Sequence, residues 1–547
     1  MPPENLDCVI VGYNEISLSA EYRHALKMES SSAHVTSILS NTIEFKGDRI
    51  SYLDYLNEVA ASEIGYNPRL HVASMPNLGV NYLWSFLKSR GLSVEGINFF
   101  NYEKEALVDL ISKRRVNLVA ITTTFYTSDE PVRELVDFIR SQDSSIKIVV
   151  GGPFVLNAAS FYKKEVLDYL LQSIGADFYI YDSQGEATLA DLATALKTHR
   201  SGVASIPNLI INGSPLIRNL PAPEANDLQS NAIDWHNLPM SACVPTVMTR
   251  TARSCAFKCS FCTYPVLAGA LTLMNVEEVE RQLETLEAIG TRYIGFIDDT
   301  FNVPLDRFKA MCRMMIRRKF DIRWFSYLRC GNIDEEGLDL LAEAGCEGVF
   351  LGIESGDPDV LRNMNKKAVP DRYRQGIIGL RERGIVSYAS IIVGFPGETA
   401  DSVRRTIELI QDAKPTFFHP ELYCHYQFSP VNKDAEKFEL KGTGYSWSHK
   451  TMTWQDGREA LLSMITGVTE SIYMPTYSFD FWALPYLYGQ GFTLEFIKDY
   501  LRISSQKMVE GLLKQDADVD RDAELGALVR RSWPQRSRAA AFESGAL

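Results

Sequence analysis

From about residue 70 the chain alternates between short continuous apolar runs and longer segments whose apolar positions recur every three or four residues. The runs "LHVAS" (70–74), "LSVEGINF" (92–99), "NLVAITTTF" (117–125), "IKIVVGG" (146–152) and "ADFYIY" (176–181) predict strands. Between them, 78–91, 103–114, 129–141, 163–175 and 185–197 carry the periodicity of amphipathic helices, with Pro131 in a first turn and Gly91 at an end. Strands apolar on both faces, alternating with helices, imply a parallel, doubly wound Rossmann-like sheet. Such a sheet binds ligands beyond the carboxyl ends of its strands.

A second series begins near 244. Strands are predicted at 244–250, 292–298, 322–328, 348–354, 387–395 and 416–424, with helices at 276–289, 305–319, 334–344, 370–383 and 400–412. Asn275 with Glu278 caps the first helix and Gly290 ends it. About six β/α units are too few for a closed eight-stranded barrel and suit an open, partial (β/α)6 barrel. The expected divisions are an extension at 1–68 holding one strand candidate, "LDCVIVGY" (6–13), the first sheet domain at 69–200, a hairpin and Pro-rich linker at 201–240, the barrel at 241–428, and a mostly helical, aromatic region at 429–547 with a disordered tail. The fold class is α/β throughout the first two domains.

Composition narrows the function classes. A net charge of −13 argues against a nucleic-acid partner. No apolar run reaches the ~20 residues that span a bilayer, and "MPPENLDC" has no signal-peptide character. The nine cysteines are odd in number and, outside one cluster, scattered, which is no disulfide framework and points to the reducing cytoplasm.

That cluster is "RSCAFKCSFC" (253–262). Cys255, Cys259 and Cys262 sit on the loop after the first barrel strand, at the face where barrel active sites form. Thiols so spaced bind zinc or an iron–sulfur cluster. Structural zinc would want a fourth ligand, and no histidine lies between His236 and His419. Three protein ligands on a four-iron cluster leave one iron open for a substrate or cofactor; a redox-thiol role is the other alternative.

The triad, with Phe261 before its last cysteine, resembles the radical S-adenosylmethionine (AdoMet) superfamily. "GFIDDTF" (295–301), "GIESGDPDVLRNMNK" (352–366) and "IIVGFPGET" (391–399) resemble the motifs of its cobalamin-binding and methylthiotransferase branches. Ser254 departs from them, standing where this branch has glycine. The resemblance implies a 4Fe-4S cluster on Cys255, Cys259 and Cys262, with AdoMet chelating the open iron. It also implies Phe261 near the adenine, Asp298 and Asp299 facing the AdoMet ammonium group, Glu354 on the ribose, and backbone of the Gly394 loop against the adenine. An external electron donor such as flavodoxin or ferredoxin is implied as well.

The first sheet has no G-x-G-x-x-G fingerprint and no phosphate loop. "MPNLGVNYL" (75–83), "ITTTFYTSD" (121–129), "VVGGPF" (149–154) and "YDSQGEATL" (181–189) resemble the cobalamin-binding domain that precedes many radical AdoMet domains. The contacts implied are Asn77, Thr122, Thr123, Thr124, Gly151, Gly152, Gly185 and Glu186. No Asp-x-His-x-x-Gly motif occurs, so no histidine of this domain is expected on the cobalt.

The combination implies a methyltransferase of the class B type. A 5′-deoxyadenosyl radical abstracts hydrogen, and methylcobalamin then delivers methyl to an unactivated carbon or phosphorus centre of a small natural-product intermediate. "LDCVIVGYNE" (6–15) and "GYSWSHKTM" (444–452) resemble the subgroup typified by the P-methyltransferase of phosphinothricin (bialaphos) antibiotic biosynthesis. A phosphinate substrate would want cations, with His449, Lys450 and Arg329 as candidates. Cyclisation or rearrangement without methyl transfer, and a non-catalytic cobalamin or cluster sensor, are the competing readings. An RNA methylthiotransferase would want three further cysteines in its N-terminal domain, and residues 1–200 hold only Cys8.

Overall fold

The computed structural model describes residues 5–28, 32–198, 202–514 and 519–534; the tail expected to be disordered lies mostly outside them. The described residues pack as two compact units. One comprises the chain up to Ile16, 73–248 and 281–290; the other comprises 17–72, 249–280 and 291 onward.

The first unit is built on a seven-stranded sheet. Its strands are β1 (Cys8–Tyr13), β2 (Val94–Phe99), β3 (Leu118–Thr122), β4 (Lys147–Gly151), β5 (Phe178–Ile180), β6 (Leu209–Ile211) and β7 (Ile217–Arg218). The spatial order is β7-β6-β5-β4-β3-β1-β2. β2, β1, β3, β4 and β5 are parallel, with Ile10 opposite Ala120 and Ile121 opposite Val150. β6 and β7 form the expected hairpin and add antiparallel strands to the edge. The parallel strands run 2-1-3-4-5 in chain order, which places the reversal of winding, and so the ligand crevice, between β1 and β3. The core is largely aliphatic: helix Glu130–Gln142 buries Val132, Leu135, Val136 and Ile139 at helical spacing against it.

Two expectations need correction here. "LHVAS" is not a strand: Leu70 exchanges its backbone N–H and C=O with the Asn57 side-chain amide, at 2.8 and 2.9 Å. A 3-10 turn follows at Val72–Ser74. The place of a first strand belongs to Cys8–Tyr13, inside the supposed extension. The rest of that segment, from Ser17, packs within the second unit. There Tyr55 Oη donates to Asp522 Oδ1 (2.6 Å), Tyr473 Oη to Ser40 O (3.0 Å), and the Thr476 N–H to Asn41 Oδ1 (2.7 Å).

The second sheet follows chain order: β8 (Thr246–Thr249), β9 (Tyr293–Phe296), β10 (Arg323–Leu328), β11 (Cys346–Glu354), β12 (Val386–Val393), β13 (Phe417–Leu422) and a short β14 (Ile472–Tyr473). Pairing from β9 to β14 is parallel. The six expected strands are present, and the C-terminal region contributes a seventh. Segment 479–482 of that region packs on barrel aromatics: Phe481 lies 5.9 Å from both Phe325 and Phe350, and Trp482 Nε1 donates to Tyr327 Oη at 3.1 Å. Among the described residues no helix is long and apolar enough to cross a membrane.

Candidate functional site

The cysteine loop leaves the end of β8 and is tied down on several sides. Asp298, just past β9, is fully buried and accepts from the Thr251 N–H (2.6 Å), the Thr251 hydroxyl and the Ala252 N–H (3.0 Å). Burial pushes its carboxyl up, against the pull of those hydrogen bonds and of Arg307. Asp298 therefore brackets the backbone entering the loop, and its oxygens are committed there. The role expected for it towards an AdoMet ammonium group would have to share those oxygens.

Ser254 adopts a φ of 70°, which explains why glycine suits this position. Its hydroxyl donates to Gly269 O at 2.6 Å, a bond glycine would lack. On the far side the segment 363–366 grips the loop. Ser260 donates from its N–H to Met364 O and from its hydroxyl to Asn363 O, both at 2.8 Å. Asn365 Nδ2 donates to Lys258 O at 2.7 Å. The "NMNK" end of the third motif is thus a clamp on the cysteine loop.

All three cysteines are free. Cys259 is buried, while Cys255 and Cys262 are half-buried. The Cys262 thiol is pushed up to about 11, first by burial and then by Asp299, Cys259 and Cys255. The three sulfurs therefore share one electrostatic neighbourhood. Among the described residues no three His, Cys, Asp or Glu side chains are disposed around a single metal ion. Thiols on one loop suit the separate corners of an iron–sulfur cluster, whose charge would deprotonate them. Thr300, which sequence reading missed, places its hydroxyl 3.8 Å from Cys255 Sγ. Its signal lay within "DDTF".

Asp299 is open to solvent yet ringed by protein. Desolvation and the Asp298 charge push its carboxyl up to about 7. Among the described residues its carboxylate meets only its own backbone N–H.

Glu354 ends β11 with a φ of 62°, beside a register shift between β11 and β12. It forms a buried ion pair with Lys366 at 2.7 Å. Lys366 Nζ also stands 5.5 Å over the half-buried Phe261 ring. Gly394 has a φ of 91°, and a Cβ there would sit 2.5 Å from the Trp447 indole. Its N–H donates to Glu398 and its C=O lies 3.3 Å from His449 Nε2. The glycine admits Trp447, and both backbone groups have partners within the protein, which the expected approach to adenine would have to share. Of the candidate cations, His449 is stacked on Trp447 and held neutral, its value pushed down to about 4 by burial. Lys450 is exposed.

In the first unit the expected residues gather at the carboxyl edge of the sheet. Several are spent on the edge itself. Asn77 caps helix Leu78–Lys88, Thr122 Oγ1 donates to Gly12 O (3.2 Å), Thr123 Oγ1 donates to Gly151 O (2.8 Å), and Glu186 accepts from Asn226 Nδ2 (2.9 Å). Gly152 and Gly185 take φ of 107° and 76° at helix starts, and Gly151 ends β4 against Ile180. Thr124 is exposed. The crevice between β1 and β3 adds residues not foreseen. Phe125 is 59% exposed and stands edge-on to Tyr13 at 5.9 Å. Among the described residues the buried Asn14 Oδ1 meets no donor. An exposed aromatic ring at the switch point of the sheet suits packing against a macrocycle such as cobalamin.

The radical SAM superfamily model matches residues 249–410, and the B12 binding domain model matches 72–193. An uncharacterized methyltransferase of Pyrococcus horikoshii is 26% identical over 352 residues, 61% of this chain and 72% of that protein. The anaerobic magnesium-protoporphyrin IX monomethyl ester cyclase of Rubrivivax gelatinosus is 26% identical, over 48% of this chain and half of its own length. Among solved structures, the radical S-adenosylmethionine methyltransferase TsrM of Kitasatospora setae, with cobalamin and a 4Fe-4S cluster bound, superposes with a TM-score of 0.55. It is 22% identical over 66% of this chain and 75% of its own, a likeness of fold. The matched domains imply the 4Fe-4S cluster, AdoMet and cobalamin as cofactors, and the residues described suit the cluster and the macrocycle.

Proposed function

We propose that this chain, a radical SAM enzyme with a B12-binding domain, transfers a methyl group to an unactivated carbon or phosphorus centre of a small molecule. The observation that carries the reading is the braced cysteine triad at the mouth of an open barrel, in a chain that also holds a second cofactor domain. When bound, the cluster and AdoMet supply a carbon-centred radical and the cobalamin supplies a transferable methyl group.

The chain's own residues bind, orient and exclude water. Cys255, Cys259 and Cys262 hold the cluster, with the Thr300 hydroxyl beside one sulfur. Tyr327, Phe350, Tyr388 and Trp482 line the barrel with packed rings that keep a radical from solvent. Asp299 holds or releases a proton at a carboxyl facing the cleft.

A natural-product intermediate, such as a phosphinate of the antibiotic pathway named above, is the substrate class this reading favours, with flavodoxin or ferredoxin as electron donor. Free cysteines throughout support a cytoplasmic location. Cyclisation without methyl transfer is the second reading, favoured by the likeness to the Rubrivivax cyclase.

The test is anaerobic reconstitution with iron, sulfide and cobalamin, followed by assay of deoxyadenosine, S-adenosylhomocysteine and product mass. Both small products with a product heavier by one methylene support methyl transfer. Deoxyadenosine with an isomeric or dehydrogenated product supports cyclisation. Failure to retain cobalt under saturating cobalamin defeats both.

A further inference from the structure

Arg329 follows the last residue of β10, at the carboxyl end of the barrel strands. It is 6% exposed. Its backbone N–H and C=O both bond the Asn302 side-chain amide, at 3.0 and 3.1 Å, so its position is fixed. Its guanidinium carbon stands 3.7 Å from the centre of the Phe257 ring, in the cysteine loop between Cys255 and Cys259.

Nε and Nη2 are buried and, among the described residues, meet no acceptor. Three other cations of this unit have partners: Lys366 has Glu354, Arg405 has Asp357 at 2.6 Å, and Arg307 has the carbonyls of Thr251 and Met274. Glu354, the carboxylate whose field reaches Tyr373 together with that of Arg329, is already engaged by Lys366. A guanidinium does not lose its proton in a protein, so burial cannot neutralise it. A buried cation without a counter-charge is costly, and an arriving anion relieves that cost. Nε and Nη2 form one edge of the guanidinium fork, and Phe257 covers its face. That edge matches two oxygens of a single carboxylate or phosphinate.

We propose that Arg329, braced on Phe257, is an oxyanion-binding position in the barrel mouth, taking a carboxylate or phosphinate through its Nε–Nη2 edge. The oxyanion has two possible sources, the carboxylate of AdoMet or an acid group on the substrate. The inference rests on the barrel mouth being the active site, and it names the substrate class only if the second source is the true one.

The experiment uses reconstituted holoenzyme, wild type and Arg329→Gln, under anaerobic equilibrium dialysis with AdoMet and with decarboxylated AdoMet. Thermal stabilisation by phenylphosphinate and by acetate is measured in parallel. Losing a two-pronged, charge-assisted contact weakens binding roughly 10- to 100-fold. If AdoMet is the source, Arg329→Gln shows that loss for AdoMet, and removing the AdoMet carboxylate costs the variant about that much less than it costs wild type, the iron's own hold on the carboxylate being common to both. If the substrate is the source, AdoMet binds both proteins equally and the anion probes stabilise only wild type.

The proposal is overturned if Arg329→Gln, with wild-type iron content, binds AdoMet and responds to both anions as wild type does. Should that variant not fold, Arg329→Lys keeps the charge without the fork and is expected to lose several-fold. None of these readouts needs turnover. A protein that binds oxyanions yet makes no methylated product would refute methyl transfer and leave Arg329 standing.

Discussion

Lys366→Met would isolate the electrostatics of the buried pair that anchors the end of β11. Lys366 and Glu354 are 8% and 9% exposed in their side chains and meet at 2.7 Å. Methionine keeps the unbranched stem and removes only the ammonium. Glu354 has little room to respond. Its backbone φ of 62° is already costly, by about 1–2 kcal/mol for a residue with a side chain. Gly352 crowds it too: a Cβ there would stand 2.6 Å from Glu354 Oε1. Breaking a buried pair by removing one partner costs roughly 3–5 kcal/mol, because the remaining charge is stranded. In a unit of this size that lowers the melting midpoint by on the order of 5–10 °C. The assay is scanning fluorimetry of the cofactor-free protein, following the transition that contains the barrel. The double variant Glu354→Gln with Lys366→Met leaves a neutral amide, which is cheaper to bury, and is expected to recover at least half of the loss. A single variant melting within about 2 °C of wild type, or a double variant worse than the single one, would refute the claim that stranded charge sets the cost.

Three further outcomes follow from the same geometry. Cys255→Ala, Cys259→Ala or Cys262→Ala should each abolish cluster iron and AdoMet cleavage together, and a variant that is active without iron contradicts the site. Ser254→Gly relieves the positive φ and gives up one hydroxyl bond of similar size, so its midpoint should stay near wild type, whereas Ser254→Val, β-branched at the same φ, should lose several degrees and much of its reconstituted iron. Glu398, completely buried, is pushed up to about 8 from an ordinary 4.5; between those values the folded state keeps a proton that the unfolded chain has released, so stability falls as pH rises through that window. Glu398→Gln removes that dependence: it should match wild type near pH 4.5 and melt higher above pH 8, and parallel curves across the range would count against the buried carboxyl as their cause.

Strands and helices from 92 to 424 were legible because their burial is periodic and each is packed by sequence neighbours. Helix Val276–Ile289 shows this, with the Glu278 N–H donating to Asn275 Oδ1 at 2.8 Å as its cap pattern required. What escaped reading depends on partners far away in sequence. The Cys8–Tyr13 strand looked isolated because its neighbours, Val94–Phe99 and Leu118–Thr122, lie many residues on. Helix Tyr52–Ile64 packs close to Arg521–Ser532, where a Cβ on Gly526 would come 2.5 Å from Glu63. No local pattern announces such a meeting. Leu70–Ser74 misled for the complementary reason: an apolar run reads as a strand unless one knows that Asn57 will occupy its backbone.

The site divides along the same line. Residue types that bind a cluster could be read from spacing, since three thiols on one loop need no tertiary information. The assignment of individual motif residues to a ligand could not, because a polar side chain near an active site has two uses and sequence does not say which. Asp298, Glu354, Gly394 and Asn77 are all occupied by their own protein: a backbone bracket, a buried ion pair, an indole's seat and a helix cap. Each fixes a loop at a strand end, so each serves the chemistry by holding other atoms still. Among the described residues, groups with capacity left at the barrel mouth include the Thr300 hydroxyl beside Cys255, the Asp299 carboxylate and the Nε–Nη2 edge of Arg329. A mouth whose scaffold is internally satisfied discriminates through such groups. Altering Asp299 or Arg329 should therefore change which molecule is accepted before it changes whether the fold survives, and altering Asp298 or Lys366 should do the reverse.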